Sequence, residues 1–285
     1  MRNRILAGLG VVALATVGFA APANAVSDTT ADLWLVHAFP DDALGDGESS
    51  TVTIDIGNGA IVLDGVTPET VAPQVDLDPN TYNVTITRES DSTELFNADV
   101  TLEAGVSYTA VAHPSIDGDD EVNGFTVSIF ENDLSTIAAG EGKITVRHTA
   151  GVGAVDIRSG SAVVAGGLAN PNEGTLTLPA GVVSDVNAAV AGTDTRAIEL
   201  GDVTLAEGQH IFVHAFGPDG GDFGAVIFDI EGLHSTPGGI PGGTAGLVDE
   251  GTNGIAFGLA GAAALMLLIA GGVIAVRRNA VTAER

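Results

Sequence analysis

Apolar and polar residues alternate with period two along most of this chain. Val52, Ile54 and Ile56 alternate with Thr51, Thr53 and Asp55; Tyr82, Val84 and Ile86 alternate with Thr81, Asn83 and Thr85; Phe125, Val127 and Ile129 repeat the pattern. In an extended strand successive side chains point to opposite faces, so this alternation predicts half-buried β-strands. The clusters Gly57-Asn58-Gly59, Asp78-Pro79-Asn80 and Asp117-Gly118-Asp119 fall between the runs and supply turn chemistry. No amphipathic helical period precedes residue 255. Short strands at this spacing predict an all-β fold, and we expect two tandem β-sandwich (Ig-like) domains.

The expectation of two domains comes from an internal repeat. Asp99-Val100-Thr101-Leu102-Glu103-Ala104-Gly105 returns 103 positions later as Asp202-Val203-Thr204-Leu205-Ala206-Glu207-Gly208. Val36-His37 lies against Arg147-His148, Ile54-Asp55-Ile56 against Val155-Asp156-Ile157, and Gly59 against Gly160. Phe125, Ile129, Phe130 and Glu131 match Phe223, Ile227, Phe228 and Asp229. The repeats are expected at 31–134 and 143–233, with the junction between Leu134 and Lys143. His37 stands 18 residues before Asp55 but His148 only eight before Asp156. The first repeat therefore carries an insert of about ten residues, Asp41 to Ser50, read as an exposed acidic loop.

The two ends predict a location. Arg2 and Arg4 precede an apolar run from Ile5 to Ala20, and Ala23-Asn24-Ala25 offers a small-x-small cleavage site, so 1–25 reads as a signal peptide. Residues 255–276 carry no charge and would make a helix of about 33 Å, enough for a ~30 Å hydrocarbon core. Arg277, Arg278 and Arg285 follow it, whereas Asp249 and Glu250 precede it, which predicts a cytoplasmic tail at 277–285 and an extracellular body. Between repeat and helix, 235–254 holds seven glycines and two prolines, the composition of a flexible stalk spanning roughly 25 Å. Gly254 and Gly258 form a small-x-x-x-small step at the outer edge of that helix.

Charge narrows the partners. Residues 26–254 carry 36 acids against five bases, Arg88, Lys143, Arg147, Arg158 and Arg196, a net charge of −31. Such a field repels nucleic acid and draws in cations. The chain has no cysteine, so thiolate zinc sites, iron-sulfur clusters and disulfides are excluded and stability must come from the cores.

The strand Leu33-Trp34-Leu35-Val36-His37-Ala38-Phe39-Pro40-Asp41 and its counterpart Ile144-Thr145-Val146-Arg147-His148-Thr149 each lead into an Ile-Asp-Ile or Val-Asp-Ile strand. In this the chain resembles the bacterial family of domain of unknown function 4397, whose repeats open with Val-His-Ala-Ser-Pro-Asp-Ala-Pro and run on into Val-Asp-Val-Tyr. The resemblance covers residues 31 to 233 as two tandem copies. Exported members often carry such repeats ahead of a single C-terminal membrane helix. The chain departs at Phe39, where the family prefers Ser, and at Gly151 to Gly153, where the second copy lacks the Pro-Asp-Ala-Pro stretch. The resemblance implies an extracellular β-rich module and supplies no catalytic residues.

Several clusters compete as sites. Asp117, Asp119, Asp120 and Glu121, with Asn123, gather oxygen ligands as calcium requires, and they are the metal candidate; the aligned loop keeps only Asp219 and Asp222. Asp41, Asp42, Asp46 and Glu48 make a weaker cluster of the same kind. His37 and His148 sit at matching strand ends, where we expect the rings to satisfy backbone groups. His210 and His214 point to one face of a strand with Phe212 and Phe216, about 13 Å apart, too far for one zinc ion, and we expect them to be partly exposed.

No Gly-x-Ser-x-Gly elbow, His-Glu-x-x-His helix or phosphate-binding loop occurs, and Gly151-Val152-Gly153 reads as a turn. Asn83-Val84-Thr85 fits an N-glycosylation acceptor but reads as strand, and the stalk has no Leu-Pro-x-Thr-Gly sorting motif. The expected function is a non-enzymatic cell-envelope binding or structural protein on the plasma membrane, with calcium the one ion left open as a cofactor. Its partners would be the membrane, through one helix, and a surface glycan or protein, with no nucleic acid. The alternative is an extracellular hydrolase or calcium-dependent carbohydrate-binding protein.

Overall fold

A computed structural model describes residues 27–41, 48–116, 124–218 and 223–234. They form sixteen strands and no helix. The first eight are β1 (Ala31–His37), β2 (Val52–Ile56), β3 (Ile61–Val66), β4 (Thr70–Leu77), β5 (Asn80–Arg88), β6 (Glu94–Leu102), β7 (Ser107–Pro114) and β8 (Phe125–Glu131). The second eight are β9 (Glu141–His148), β10 (Val155–Ser159), β11 (Ala162–Leu168), β12 (Glu173–Pro179), β13 (Gly181–Val190), β14 (Arg196–Leu205), β15 (His210–Phe216) and β16 (Gly224–Ile230). Among the described residues no helix is long and apolar enough to cross a membrane. The expected signal peptide, stalk, membrane helix and tail lie outside the described residues.

Four four-stranded sheets result, ordered β4-β1-β7-β8, β3-β2-β5-β6, β12-β9-β15-β16 and β11-β10-β13-β14. The last two repeat the first two with every strand number raised by eight. β1 pairs parallel with β7 and antiparallel with β4, as β9 does with β15 and β12. The register agrees with the residue matches expected from the repeat: His37 lies opposite Ala112 and His148 opposite Ala215, and Thr109 pairs Phe130 where Phe212 pairs Phe228. The segment between the two halves runs from 132 to 140, so Glu141, Gly142 and Lys143 belong to β9 rather than to the junction.

Alternation works as expected where one face meets solvent. Val52, Ile54 and Ile56 are buried while Thr53 and Asp55 are partly exposed, and Val84 and Ile86 point inward from β5. On the outer face Thr81 bonds Thr101 at 2.8 Å and Asn83 bonds Asn97 at 3.0 Å, cross-strand pairs on a solvated surface. Gly57, Asn58 and Gly59 all take positive φ (73°, 55° and 89°), which is why two of the three are glycine. The Gly59 N–H closes that turn on Asp55 Oδ1 at 2.6 Å.

Each half has its own apolar core between its two sheets. Leu33, Leu35, Ile54, Ile86, Tyr108, Phe125 and Ile129 fill the first. Ile144, Val146, Ile157, Ala188, Leu205, Ile211 and Val213 fill the second. A third core joins the halves: Trp34, Val36, Val111 and Phe130 from the first pack against Phe212, Phe216, Val226, Phe228 and Ile230 from the second. β1, β7, β9 and β15 are consequently buried on both faces, and β8, expected to be half-buried, also buries Ser128 and Phe130 on its second face. At one end of the molecule Gly151 lies against Pro114 and Ser115; at the other Ile137 bridges His234.

The second core is tightest where Gly142 in β9 passes under Leu205. A Cβ at Gly142 would stand 2.6 Å from Leu205 Cγ and 2.7 Å from the Ala206 carbonyl, whereas one at Gly174 meets nothing nearer than 3.9 Å. Gly142→Ala should therefore lose about 2 kcal/mol and Gly174→Ala less than about 1 kcal/mol. Urea unfolding followed by the fluorescence of Trp34, the one tryptophan of the chain, measures both.

Candidate functional site

The densest chemistry among the described residues lies in the core between the halves, centred on Arg147 of β9. Its side chain is fully buried, which is costly for a guanidinium unless every donor is used. Nε donates to Glu173 Oε2 of β12 at 2.9 Å, Nη2 donates to Asn132 Oδ1 at the start of the segment between the halves at 2.8 Å, and Nη1 donates to His214 Nε2 at 3.2 Å. The cation also lies over Phe130, 4.6 Å from the ring centroid, and Phe212, 4.9 Å away. Burial pushes the guanidinium down from its ordinary value, and the Glu173 carboxylate opposes that. Asn132 carries the network onward, accepting from Thr109 at 2.8 Å and donating to Ser107 at 2.9 Å.

Two buried histidines, His210 and His214, lie near this cation, and a third, His113, lies near His214; each of the three has both ring nitrogens engaged. His214 Nδ1 meets the Val226 carbonyl at 3.2 Å; His210 Nδ1 meets the Asp133 carbonyl at 2.9 Å and its Nε2 meets Thr145 Oγ1 at 2.7 Å. On β7, His113 Nδ1 meets the Pro114 carbonyl at 2.9 Å and Nε2 meets Ser128 Oγ at 2.8 Å. A carbonyl can only accept, so Nδ1 carries the proton in all three and Nε2 accepts. Desolvation lowers each ring, His113 and His210 to about 4 and His214 well below its ordinary value, where Arg147 adds repulsion. The expectation that His210 and His214 are partly exposed is corrected: both are fully buried, because the first half covers the face of β15 that carries them.

His37 and His148 act as expected at their strand ends. His37 Nε2 donates to the Ser50 carbonyl at 2.6 Å and His148 Nε2 to the Gly153 carbonyl at 2.9 Å, so each ring holds the segment that follows its strand. In both, Nδ1 is buried with no hydrogen-bond partner among the described residues. Burial lowers both rings. Asp156 of the second Asp-Ile strand has a larger task than Asp55: its two oxygens accept from Gly167 and Gly192 at 2.9 and 2.8 Å, clamping two turns.

The calcium candidates Asp117, Asp119, Asp120 and Glu121 lie outside the described residues, as do Asp42, Asp46, Asp219 and Asp222. Asp41 accepts from the Ser50 N–H at 2.5 Å and from Ser49 Oγ at 3.3 Å, bracing the start and end of the insert against each other. Among the described residues no three His, Asp or Glu side chains gather as a metal site would. The five Lys and Arg among the described residues are all ion-paired, Arg88 with Asp91, Lys143 with Asp133, Arg147 with Glu173, Arg158 with Asp194 and Arg196 with Asp185.

Sequence reading missed Arg147 and His113 as members of one cluster. The available signal was an arginine directly after Ile144-Thr145-Val146, a position where the matched strand has the apolar Val36. The arrangement uses its polar atoms to bind one half to the other rather than to present a free base or nucleophile. In comparison with known proteins, the family model for a domain of unknown function, DUF4397, matches residues 16–158 as one copy, and no curated protein matches the chain.

Proposed function

The chain belongs to the DUF4397 family, and from that premise we propose that it is a non-enzymatic cell-envelope protein whose two halves are tandem β-sandwich (Ig-like) modules acting as one rigid binding or structural unit. It is held on the outer side of the plasma membrane by the helix expected at 255–276. One observation carries this reading. The parallel pairs β1 with β7 and β9 with β15 bring His37, Pro114, His148 and Phe216 to one end of the molecule, and Gly151 touches Pro114 there. Ala31 and His234 stand at the other end, where His234 bridges Ile137. An anchor following His234 would present the first end outward, the place where a rigid scaffold usually carries recognition segments. A surface glycan or protein is the proposed partner.

Because the chain has no cysteine, placement is tested with single-cysteine variants. Gly153→Cys should react with a membrane-impermeant maleimide in intact cells, and Ala280→Cys only after permeabilisation; the reverse pattern removes the envelope reading. Binding is tested by co-sedimenting the full chain with purified cell-wall polymer, with and without calcium. Retention that Gly153→Trp abolishes supports the outward end as the contact. Cleavage of the polymer in the same tube supports the hydrolase reading instead.

A further inference from the structure

We infer that the junction between the halves is a proton-operated latch, closed while its buried imidazoles are neutral and opened in acid by their protonation. The groups that face one another there come from every element packed into it. β7 supplies His113; β9 supplies Lys143, Arg147 and His148; β12 supplies Glu173; β15 supplies His210 and His214; Asp133 follows β8. β1 and β16 bring Trp34, Val36, Val226 and Phe228 to the contact, and Asp32 at the start of β1 lies beside Asp76 of β4. With the rings neutral, two cations face the two carboxylates of Glu173 and Asp133, and the charges balance. Each added proton is uncompensated in charge. At His214 it also cannot be accommodated locally, because Nε2 would become a donor pointed at the Arg147 donor 3.2 Å away; at His210 and His113 the Thr145 and Ser128 hydroxyls would have to turn from donor to acceptor around a buried, unpaired cation. Opening the junction lets water take the charge.

The sign follows from the same groups. Rings held at about 4 when closed and near 6.5 when solvated leave the closed state at full strength above pH ~6.5, weakening as pH falls toward about 4. Asp32 is pushed up to about 6 by desolvation and by Asp76, its partner within the first half, so it takes up its proton before His113 and His210 do. The imidazoles facing the junction set the sign, and acid opens it.

Trp34 stacks on Phe228 across it, ring centroids 4.7 Å apart, and is the built-in reporter. The full chain is titrated from pH 7 to 3.5 with Trp34 emission, far-UV circular dichroism and imidazole NMR recorded together. The expected result is a reversible red shift of Trp34 between about pH 5 and 4 while the strand signal is unchanged, with His113, His210 and His214 taking up protons across the same interval. In His113→Phe, the residue that Phe216 places at the matched position, the midpoint should move to lower pH. Trp34 emission that stays constant, or that changes only together with loss of the strand signal, would overturn the latch. So would imidazoles that remain neutral through the shift, a measurement on the unsubstituted chain that does not depend on the variant folding.

Discussion

Arg147→Ala should lower the unfolding free energy by about 3–5 kcal/mol, the range found when one member of a buried ion pair is removed and its partners are stranded. The substitution leaves His214 Nε2 with no donor, takes one of two donors from Asn132 Oδ1, and opens a cavity between Phe130 and Phe212. Arg147→Met should cost less than half as much. It refills most of that space, and the Glu173 side chain, 21% exposed, can turn its charge to water. Urea titrations of both variants, read through Trp34, separate the cost of lost charge pairing from the cost of lost volume. Equal losses for the two would mean that the cation itself, and not the space it fills, sustains the junction.

The second large effect is expected at Phe228, which touches Trp34 at a centroid distance of 4.7 Å, Phe212 at 5.0 Å and His214 at 5.6 Å. Phe228→Ala should cost about 3–5 kcal/mol, the range for emptying a buried aromatic site. Its location predicts a distinctive form of loss. Phe228 belongs to the core shared by the halves and not to either half's own core, so its removal weakens their coupling more than their folding. Scanning calorimetry of the full chain should show one cooperative transition dividing into two. A uniformly lowered single transition would place Phe228 in the folding core of its own half.

Two of the alternating strands, β2 and β5, have one dry face, whereas β8 and β9 alternate too and yet bury Ser128, Thr145 and Arg147 at polar positions. Val52-Thr53-Ile54-Asp55-Ile56 has its apolar set inward and its polar set out, so period two and burial coincide. Leu33-Trp34-Leu35-Val36 and Ile211-Phe212-Val213 do not alternate, and β1 and β15 are among the four strands buried on both faces. That unbroken apolar run was a legible sign of a second covering layer. What it could not convey was which layer. His210 and His214 are polar residues on a strand, and nothing local distinguishes a solvated face from one covered by a segment a hundred positions away. The same is true of Arg147, whose partners Asn132 and His214 lie 15 and 67 residues distant. The repeat alignment survives in the hydrogen-bond register, because Phe130 and Phe228, matched by sequence alone, occupy equivalent positions on β8 and β16.

Residues 132–140, the nine that join β8 to β9, also set the terms on which the halves meet. A tether that short confines each half to the neighbourhood of the other at an effective concentration in the millimolar range. Closure is then a unimolecular event, indifferent to how many molecules populate a cell. A contact that would scarcely hold two free proteins, with a dissociation constant near 1 mM and about 4 kcal/mol of standard affinity, already keeps a tethered pair closed about half the time. Every further 1.4 kcal/mol divides the open fraction by roughly ten. A buried cation and three imidazoles can therefore be tolerated in a surface that is shut while the rings are neutral, since the tether supplies the proximity that a purely apolar interface would otherwise have had to provide.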